Sequence, residues 1–324
     1  MNAAATARSS PLDLAELDRL AAERGVELRT DAPLAPLTTL RVGGSADRLA
    51  EARDRDGLLA LLRLAGDASV PWMVLGNGSD LVVADAGVRG MVIRNRAREV
   101  VIEGVSVTAD AGAPMALLVK RCTAEGLAGL EFGISIPGTL GGAVWANAGA
   151  HGGEMRDVVE WVEAWDPQTD EVRRLAAAEC GFAYRESRFK HSREVVLAAA
   201  LRLQPGDPDE IAARVAANQA QRVATQPLAD QNAGSVFRNP PGDHAGRLID
   251  AAGLKGHRIG SARVSERHAN FIVTDRSGSA ADVRALGDAV RATVEERFDV
   301  RLEYEIEFVG DWDAASNAVP EAEA

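Results

Sequence analysis

Hydrophobic and polar positions along the chain predict helices and strands that alternate without a regular repeat. Apolar residues recur at helical spacing over 283–298, which predicts a long helix with one buried stripe. Short apolar runs at 72–75, 158–165 and 194–203 predict buried strands. Residues 300–308 alternate apolar and charged side chains, which predicts a final strand with one solvated face. This mixture favours the α+β fold class.

Weaker signals fill in the rest of the chain. Capping residues, helical spacing and a following glycine or proline predict shorter helices over residues 10–25, 58–64, 114–126, 208–226 and 247–252. β-branched residues interrupted by glycine and charge predict a meander of strands over 82–111, and a further strand over 268–273. A domain boundary is predicted near the helix that ends before Pro227.

Length and composition indicate a globular protein of about two domains. The 324 residues are 46% hydrophobic, and their formal charge of −12 argues against general nucleic-acid binding, because contact with phosphates needs a basic surface. The chain shows no signal peptide and no apolar run long enough to span a membrane. The acidic, alanine-rich residues 311–324 predict a disordered tail.

Cysteine and histidine usage limits the chemistry. Cys122 and Cys180 are too few and too far apart for a disulfide framework or a cysteine-based metal site, which predicts a cytoplasmic setting. The histidines show none of the spacings typical of a zinc site, so no metal is predicted.

The densest chemical signal is the glycine-rich stretch 133–154, GISIPGTLGGAVWANAGAHGGE. Glycine permits positive φ and close approach of the backbone to a ligand. Peptide N–H groups in such a turn form a concave nest suited to phosphate. Ile136 and Trp145 stand among the glycines, whereas a flexible linker would carry serine and charge. The pattern predicts a cofactor cradle.

A second glycine turn, Gly76–Leu81, follows the strand predicted at 72–75. A strand that enters a glycine turn is a phosphate-binding arrangement. Leu81 stands where the third glycine of a dinucleotide fingerprint would be, and no clear helix follows. A Rossmann fold is therefore disfavoured.

Three places carry candidate chemistry that the residue pattern alone leaves open. Ser235 has no nearby histidine and no G-x-S-x-G elbow, so by itself it is interpreted as a turn residue. Arg185 belongs to YRESRFK, where arginine can bind a carboxylate or phosphate or simply form a solvated surface cluster. Glu303, Glu305 and Glu307 share the polar face of the predicted final strand, and periodicity selects none of them.

From about Leu37 to Gly310 the chain resembles the UDP-N-acetylenolpyruvoylglucosamine reductase family. The matching segments occur in family order: TTLRVGGSAD, VLGNGSDLVV, GISIPGTLGGAVWANAGAHGGE, CGFAYRESRFK, NAGSVFRNP and KGHRIGSARVSERHANFIVT. The resemblance implies an enzyme of peptidoglycan precursor synthesis that reduces UDP-N-acetylglucosamine enolpyruvate to UDP-N-acetylmuramate. It also implies noncovalently bound FAD as cofactor and NADPH as electron donor.

The resemblance implies a two-lobed FAD-binding module of the vanillyl-alcohol-oxidase type, followed by a smaller α+β substrate-binding domain. The expected bounds are 1–27 for an N-terminal helix and leader, 28–206 for the FAD-binding domain with lobes at about 28–97 and 98–206, 207–310 for the substrate domain, and 311–324 for the tail. A cytoplasmic monomer without nucleic-acid or membrane partners is expected.

The family's functional residues carry over by position. The resemblance implies that the catalytic residues are Arg185, Ser235 and Glu305, the last chosen by its distance before Gly310. It implies substrate contacts from Tyr184, Asn239 and His268. The implied FAD contacts are Arg41, Gly76, Asn77, Gly78, Ser79, Asp80, Leu81, Ile136, Pro137, Gly138, Thr139, Gly141, Gly142 and Gly153.

The implied reaction suits these residue types. Hydride delivered from flavin N5 to the terminal carbon of the enolpyruvyl double bond leaves negative charge that spreads into the adjacent carboxylate. Arg185 can stabilise that charge, together with Glu305 acting on the intermediate. Ser235 can supply the proton that the other carbon needs.

Two features depart from the family pattern. Asp80 replaces the asparagine expected in the glycine turn and puts a negative charge near the implied pyrophosphate. The segment 190–213 is short and lacks a tyrosine, which resembles the branch of the family without a substrate-capping tyrosine loop.

Two other hypotheses stay open at this point. An FAD oxidase of the same superfamily would use oxygen and an alcohol, and His151 beside the cradle is a candidate for covalent flavin attachment. A non-catalytic flavin- or nucleotide-binding protein would give no reason for Arg185, Ser235 and Glu305 to occur together.

Overall fold

The computed structural model describes residues 13–312. The predicted leader before residue 13, and residues 313–324 of the tail predicted over 311–324, lie outside this range. The helices are α1 (Leu14–Glu23), α2 (Arg55–Asp67), α3 (Met115–Ala124), α4 (Leu140–Ala146), α5 (Pro208–Thr225), α6 (Ala245–Ala251) and α7 (Ala280–Phe298).

Many short strands connect these helices. They are β1 (Arg29–Pro33), β2 (Ser45–Ala52), β3 (Trp72–Leu75), β4 (Leu81–Val83), β5 (Val88–Asn95), β6 (Val100–Glu103), β7 (Ser106–Asp110), β8 (Leu127–Ala128), β9 (Gly149–Ala150), β10 (Gly153–Glu154), β11 (Val159–Asp166), β12 (Glu171–Ala176), β13 (Val195–Arg202), β14 (Gln204–Pro205), β15 (Gln231–Asn232), β16 (Arg258–Ile259), β17 (Ala262–Val264), β18 (Ile272–Thr274) and β19 (Glu307–Val309). The predicted α+β class is confirmed.

The chain forms two compact units that interleave along the sequence. The first unit holds the chain through Leu28 together with Leu49–Asn77 and Met91–Ala224. The second holds Arg29–Arg48, Gly78–Gly90 and the chain from Thr225 onward. The glycine turn at 76–81 therefore begins in one unit and ends in the other, whereas the glycine-rich stretch at 133–154 lies wholly in the first.

The first unit is built on a five-stranded antiparallel sheet in the order β12-β11-β13-β7-β6. Its central strand β13 reads VVLAAALR and is buried along nearly its whole length. Val196 and Leu201 belong to a core that includes residues of α3 and α4, whereas Val195 and Leu197 belong to a core that includes residues of α1 and α2. Because apolar cores cover both faces, the strand shows no alternation of polar and apolar residues.

The second unit has its own core between α7 and an antiparallel sheet ordered β15-β18-β17-β16. The predicted stripe on α7 is confirmed by the buried residues Val283, Leu286, Val290 and Val294. Asp85 fixes the start of this helix, because its carboxylate accepts hydrogen bonds from the backbone N–H groups of Ala280 and Ala281 at 2.8 and 3.0 Å. Apolar residues from distant parts of the sequence complete the core, namely Leu40, Val42 and Val82.

The predicted final strand over 300–308 is wrong in length. Only Glu307–Val309 forms a strand, and it pairs in parallel with β4. The alternation before it has another cause: Tyr304 stacks on Phe237 with ring centroids 5.0 Å apart, and its hydroxyl donates to Asp288 on α7 at 2.9 Å. Tyr304 also forms an isolated antiparallel bridge with Phe237. The strand-like period therefore covers a segment that is paired at one bridge before β19 begins.

Other helices and strands also begin or end at residues different from those predicted. The strand predicted over 268–273 is shorter, because β18 covers only Ile272–Thr274 and the preceding residues form a turn. The first described helix begins at Leu14, with the side chain of Asp13 as its N-terminal cap. The strands at 72–75, 158–165 and 194–203 are confirmed to within two residues.

Replacing Gly287 by alanine is expected to destabilise the protein. A Cβ at this position of α7 would lie 2.5 Å from Oη of Tyr304 and 2.9 Å from its Cε1. Overpacking costs about 1–3 kcal/mol, while alanine gains about 1 kcal/mol of helix propensity over glycine, so we expect a net loss of up to about 2 kcal/mol. The midpoint of urea unfolding, followed by circular dichroism, measures this change.

Gly66→Ala in α2 is the matched control for that substitution. A Cβ at Gly66 meets no atom within 4 Å, so alanine should stabilise the helix by about 1 kcal/mol. A Gly287→Ala protein stabilised as much as Gly66→Ala would contradict the close contact between α7 and Tyr304.

Candidate active site

The predicted glycine segments meet in the first unit, where the glycine turn reaches the loop before α4. The side-chain amide of Asn77 donates to the carbonyl of Pro137 at 2.8 Å, across 60 positions of sequence. A Cβ on Gly76 would lie 2.8 Å from Oγ1 of Thr139, so a larger residue would push these segments apart. The structure thus brings together residues that the sequence assigned to one cofactor site.

The start of α4 is pressed against the end of β7 and the loop that follows it. The N–H groups of Leu140 and Gly141 donate at 2.8 Å to the carbonyls of Ala113 and Ala111. A Cβ on Gly141 would lie 2.8 Å from the Cβ of Ala111. Gly142 is exposed, and a Cβ there would meet only Oγ1 of Thr139 at 3.8 Å. In the first turn of the helix, the exposed backbone is therefore that of Gly142.

Thr139 and the residues before it shape this surface. Thr139 is buried and caps α4, with its Oγ1 accepting from the N–H of Gly142 at 3.5 Å. The carbonyl of Gly138 accepts from the N–H of Met115 at 3.1 Å, and the N–H of half-buried Ile136 donates to Gly133 at 3.0 Å. The loop is held by backbone bonds and is not a flexible linker.

The end of the glycine-rich stretch forms a small hairpin in which β9 pairs with β10. Its turn residues His151 and Gly152 have φ of 51° and 83°. A Cβ on Gly153 would lie 2.7 Å from the ring of Phe132. Positive φ in this stretch thus falls partly on a residue other than glycine, while Gly153 is needed for close packing.

His151 is engaged on both sides of its ring. Nε2 lies 2.7 Å from Oγ of Ser135, and Nδ1 lies 3.3 Å from Oε1 of Gln221 on α5. A covalent bond from either nitrogen to flavin would break one of these hydrogen bonds. This arrangement disfavours the hypothesis that His151 carries covalently attached flavin.

The rest of the glycine turn lies in the second unit beside the segment that carries Arg41. The N–H of Thr39 donates to the carbonyl of Gly78 at 3.0 Å, and a Cβ on Gly78 would lie 2.7 Å from the carbonyl oxygen of Leu37. Arg41 is exposed and has φ of 57°, with its N–H donating to Oγ1 of Thr38 at 3.0 Å. The predicted Arg41 is therefore next to the predicted turn.

The last residues of the turn connect to other predicted positions of the second unit. The carbonyl oxygen of Ser79 would lie 3.9 Å from a Cβ on Gly234, the residue before Ser235. The carbonyl of Asp80 accepts from the N–H of Glu307 at 2.9 Å. Leu81 is buried at the start of β4, where a dinucleotide fold would begin a helix.

Arg185 sits at the tip of a tight turn in the first unit. Ala183 and Glu186 exchange backbone hydrogen bonds of 3.0 Å in both directions, so Tyr184 and Arg185 form the tip. Arg185 has φ of 55°, a left-handed conformation that costs energy for residues other than glycine. Its Nη2 donates to the carbonyl of Gly149 at 2.9 Å. The arginine is thus fixed beside the hairpin of the glycine-rich stretch. An arginine in a solvated surface cluster would not need such a fixed conformation.

Tyr184 is exposed, with 48% of its surface accessible. The guanidinium carbon of Arg185 lies 5.2 Å from the centre of its ring. A large exposed aromatic ring beside a cation suits a ligand that carries both a flat group and negative charge.

Ser235 follows a left-handed glycine in a turn of the second unit. Gly234 has φ of 80°, and its N–H donates to Oδ1 of Asn232 at 3.0 Å. The next residue, Val236, donates its N–H to the carbonyl of Asn270 at 2.8 Å. Half-buried Ser235 is therefore held from both neighbours.

Glu305 lies against this turn. Its N–H donates to the carbonyl of Val236 at 2.8 Å, which ties it to the residue after Ser235. Glu303 is exposed and Glu305 half-buried, so the two carboxylates differ in environment although they have the same spacing on the predicted strand. The structure brings Glu305 and Ser235 together; Arg185 belongs to the other unit.

Asn239 and His268 have structural partners. Oδ1 of exposed Asn239 accepts from the N–H of Ala245, the first residue of α6, at 3.0 Å. His268 is half-buried, and Nδ1 accepts from the N–H of Asn270 at 3.3 Å. Burial, and the positive charge of Lys255, lower the pKa of His268 below its usual value. Neutral His268 is therefore favoured at pH 7, and its assignment to substrate stays a prediction.

The sequence reasoning missed two buried asparagines. Asn270 clamps the peptide of Phe237, accepting from its N–H at 3.0 Å and donating to its carbonyl at 2.8 Å. Asn147 ends α4 in a left-handed conformation with φ of 42°. Asparagine just after a helix is a known signal for a left-handed cap, so the sequence did contain a cue for Asn147.

Family models match both parts of the chain. Residues 46–176 match the model described as FAD binding domain. Residues 226–309 match the model described as UDP-N-acetylenolpyruvoylglucosamine reductase, C-terminal domain.

Whole-chain relatives agree with the family models. A UDP-N-acetylenolpyruvoylglucosamine reductase of Anaeromyxobacter sp. is 46% identical over 302 residues, which is 93% of each chain. The second such reductase of Symbiobacterium thermophilum is 46% identical over 286 residues, covering 87% of this chain and 92% of that protein. The chain belongs to the UDP-N-acetylenolpyruvoylglucosamine reductase family.

A solved structure of this reductase family supports the fold. The enzyme of that name from Thermus caldophilus superposes with a TM-score of 0.75 at 36% identity, over 87% of this chain and 99% of that one. The predicted order of an FAD-binding module followed by a smaller C-terminal domain is confirmed. The predicted domain bounds and the roles of single residues stay predictions.

Residues 13–312 of this reductase family member contain neither a membrane-spanning helix nor a metal-binding cluster of side chains. Within that range no helix is both long and apolar enough to cross a membrane. The same range contains no group of three or more His, Cys, Asp or Glu side chains arranged to hold a metal ion.

Proposed function

We propose that the protein reduces UDP-N-acetylglucosamine enolpyruvate to UDP-N-acetylmuramate, with FAD as cofactor and NADPH as electron donor, in the synthesis of peptidoglycan precursors. Membership of the reductase family supports this function. The observation that carries it is the hydrogen bond between Glu305 and Val236, which puts a carboxylate-bearing residue against the turn of Ser235. A hydroxyl and a carboxyl on neighbouring backbone suit delivery of a proton to carbon.

The residues of the predicted cradle fit FAD. Gly142, in the first turn of α4, offers exposed backbone where a flat ring can lie, and Asn77 and buried Thr139 lie in the adjoining segments. Exposed Arg41, beside Gly78, offers a positive charge to an anionic pyrophosphate. FAD, when bound, supplies the hydride chemistry that no side chain can perform.

The chain's own residues handle charge and protons. Arg185 stabilises the negative charge that develops on the substrate carboxylate when its double bond is reduced. Its fixed conformation means that little reorganisation is needed at the moment of reaction. Ser235 holds the proton that the second carbon of the double bond requires, and Glu305 relays a replacement proton to the serine oxygen.

Anaerobic consumption of NADPH tests this function. The protein reconstituted with FAD should oxidise NADPH in proportion to added UDP-N-acetylglucosamine enolpyruvate, with one equivalent of each consumed. NADH in place of NADPH measures the donor preference. Oxidation of NADPH that needs oxygen and ignores the enolpyruvyl compound would indicate an oxidase, and absence of any turnover would indicate a binding protein.

The flavin is expected to be noncovalent, because both ring nitrogens of His151 are already engaged. The purified protein should be yellow, and acid precipitation should leave the flavin in the supernatant. Absorbance at about 450 nm in the supernatant and the dissolved pellet measures the partition. Colour that stays in the pellet would show a covalent bond, and His151→Phe would then identify whether His151 forms it.

We also propose a cytoplasmic location. Cys122 and Cys180 are free and buried, and burial raises the pKa of each thiol to about 11. Buried neutral thiols serve as apolar core residues, and their presence without a disulfide suits a reducing compartment.

A further inference from the structure

Asn147 joins the cofactor cradle to the turn of Arg185. It is the cap at the C-terminal end of α4, the helix whose first residues form the cradle, and its side chain is completely buried. Glycine would adopt its left-handed φ of 42° more easily than asparagine. The asparagine side chain must therefore contribute something that glycine cannot.

Three hydrogen bonds use the side-chain amide of Asn147. Nδ2 donates to Oε2 of Glu154 at 2.8 Å and to the carbonyl of Ala183 at 2.7 Å. Oδ1 accepts from the N–H of Arg156 at 2.9 Å. The two N–H donors of this amide therefore bind two different segments of the chain.

The bond to Ala183 reaches the turn that presents Arg185. The same carbonyl of Ala183 also accepts the N–H of Glu186, the bond that closes the turn. On the other side of the turn, Nη2 of Arg185 donates to the carbonyl of Gly149, two residues after Asn147. The turn is therefore tied at its base by the side chain of Asn147 and at its tip by the backbone that follows Asn147.

Other contacts hold the rest of this loop, so the effect of Asn147 is local. Oγ of Ser187 donates to the carbonyl of Trp145 at 2.6 Å, and the indole Nε1 of Trp145 donates to the carbonyl of Phe189 at 3.0 Å. These bonds fix the residues after the turn to α4 independently of Asn147. Loss of the Asn147 bond should loosen the Ala183–Glu186 turn without releasing the loop.

We propose that Asn147 is a positioning residue that fixes the position of the Arg185 guanidinium relative to the cradle. This inference rests on the proposed function, in which Arg185 stabilises charge on the substrate. Catalytic groups must be held to within a fraction of an ångström, and a misplacement of about 1 Å can cost roughly 10²-fold in rate. Asn147 is fully buried and its amide binds other parts of the protein, so its role is to position Arg185.

Asn147→Asp removes the donors while keeping the shape and the left-handed preference. Oδ1 can still accept from Arg156, but the second carboxylate oxygen faces the carbonyl of Ala183 and the carboxylate of Glu154. We expect kcat for reduction of UDP-N-acetylglucosamine enolpyruvate to fall roughly 10- to 100-fold. KM, FAD content and the rate of flavin reduction by NADPH should stay within about threefold, because a defect confined to the turn leaves the cradle intact.

The double variant Asn147→Asp/Glu154→Gln separates positioning from simple structural support. The amide of glutamine at 154 can donate to the aspartate, so the contact between the two side chains is restored with donor and acceptor exchanged. The carbonyl of Ala183 still faces an oxygen. We expect the double variant to regain the melting temperature but not kcat. Recovery of kcat together with stability would overturn the proposal. Glu154→Gln alone, which keeps an oxygen that can accept from Asn147 but loses the ion pair of Glu154 with Arg156, gives the baseline for kcat and melting temperature.

A double-mutant cycle with Arg185→Gln tests whether Asn147 acts through Arg185. Once the guanidinium is absent there is nothing left to position, so Asn147→Asp should lower kcat by less than about twofold in that background. Multiplicative losses in the cycle would overturn the proposal.

Hydrogen exchange tests the inference independently of the reaction. The N–H of Glu186 closes the turn on the carbonyl that Asn147 supports. Its exchange should be at least about tenfold faster in Asn147→Asp than in the wild type, since local opening sets the exchange rate. Unchanged exchange would overturn the proposal even if the wild type proves to be the reductase. Faster exchange would support the structural link even if the wild type fails to reduce the enolpyruvyl compound, in which case only the proposed function falls.

Discussion

Ser235→Ala is expected to slow reoxidation of reduced flavin by UDP-N-acetylglucosamine enolpyruvate by roughly 10²–10⁴-fold, the usual contribution of a positioned acid. This corresponds to about 3–5.5 kcal/mol of activation free energy. Reduction of the flavin by NADPH should be nearly unchanged, because the proton is needed only when the substrate is reduced. Anaerobic stopped-flow absorbance, with each half-reaction followed separately, measures the two rates.

The surroundings of Ser235 make this a clean test. The turn is held by Asn232, Asn270 and Glu305 through backbone groups of the neighbouring residues Gly234 and Val236, so removing one hydroxyl should leave its shape intact. Ser261→Ala is a suitable control, because Ser261 is a half-buried serine of the same unit whose hydroxyl donates to Asp282 at 2.7 Å. It should keep both half-reactions at wild-type rates. Equal slowing of both half-reactions in Ser235→Ala would indicate a folding or flavin-binding defect.

Glu305→Gln is expected to lower the rate of substrate reduction by roughly 10²-fold or more. The substitution keeps the size and some hydrogen bonding of the side chain but removes its ability to exchange a proton. The backbone contact to Val236 involves the N–H of residue 305 and is therefore retained. Reoxidation of NADPH-reduced flavin by substrate measures the effect.

Glu303→Gln and Glu307→Gln are the matched controls for this position. Neither residue has a backbone bond to Val236: the carbonyl of Glu303 accepts from Arg238, and the N–H of Glu307 donates to Asp80. We expect each to change the activation free energy by no more than about 0.5 kcal/mol. A large loss in Glu303→Gln or Glu307→Gln, with Glu305→Gln like the wild type, would require the catalytic carboxylate to be reassigned.

Residues 300–308 show which structural features a sequence pattern can and cannot predict. The alternation over 300–308 predicted one continuous strand, but the segment pairs only through a single bridge from Tyr304 to Phe237 and through Glu307–Val309. Periodicity reports which side chains are buried and does not report whether a second strand lies alongside. Glu305 was selected only by resemblance, because its backbone contact with the Ser235 turn joins residues 69 positions apart, Val236 and Glu305.

Strand β13 and helix α7, in contrast, could be predicted from their own residues alone. The apolar run of β13 is long enough to require burial on both faces, and the stripe on α7 has one face to bury, so composition and spacing fix both elements. The position of Asn147 after α4 signals a left-handed cap, but a buried amide that binds backbone groups, as in Asn147 and Asn270, otherwise looks in sequence like an ordinary loop residue. Only the three-dimensional positions of the carbonyls that they bind reveal their role.

The interleaving of the two units has a consequence for how genes of this family can recombine. The core of the second unit needs Leu40, Val42 and Val82, and β19 needs β4 as its partner, although the rest of that unit comes from beyond Thr225. A single crossover near that point would join C-terminal residues of one parent to N-terminal core residues of another. Inheritance of the second unit therefore depends on compatible side chains from three separate stretches of the gene, and a transferred C-terminal region keeps its core only where the recipient supplies them.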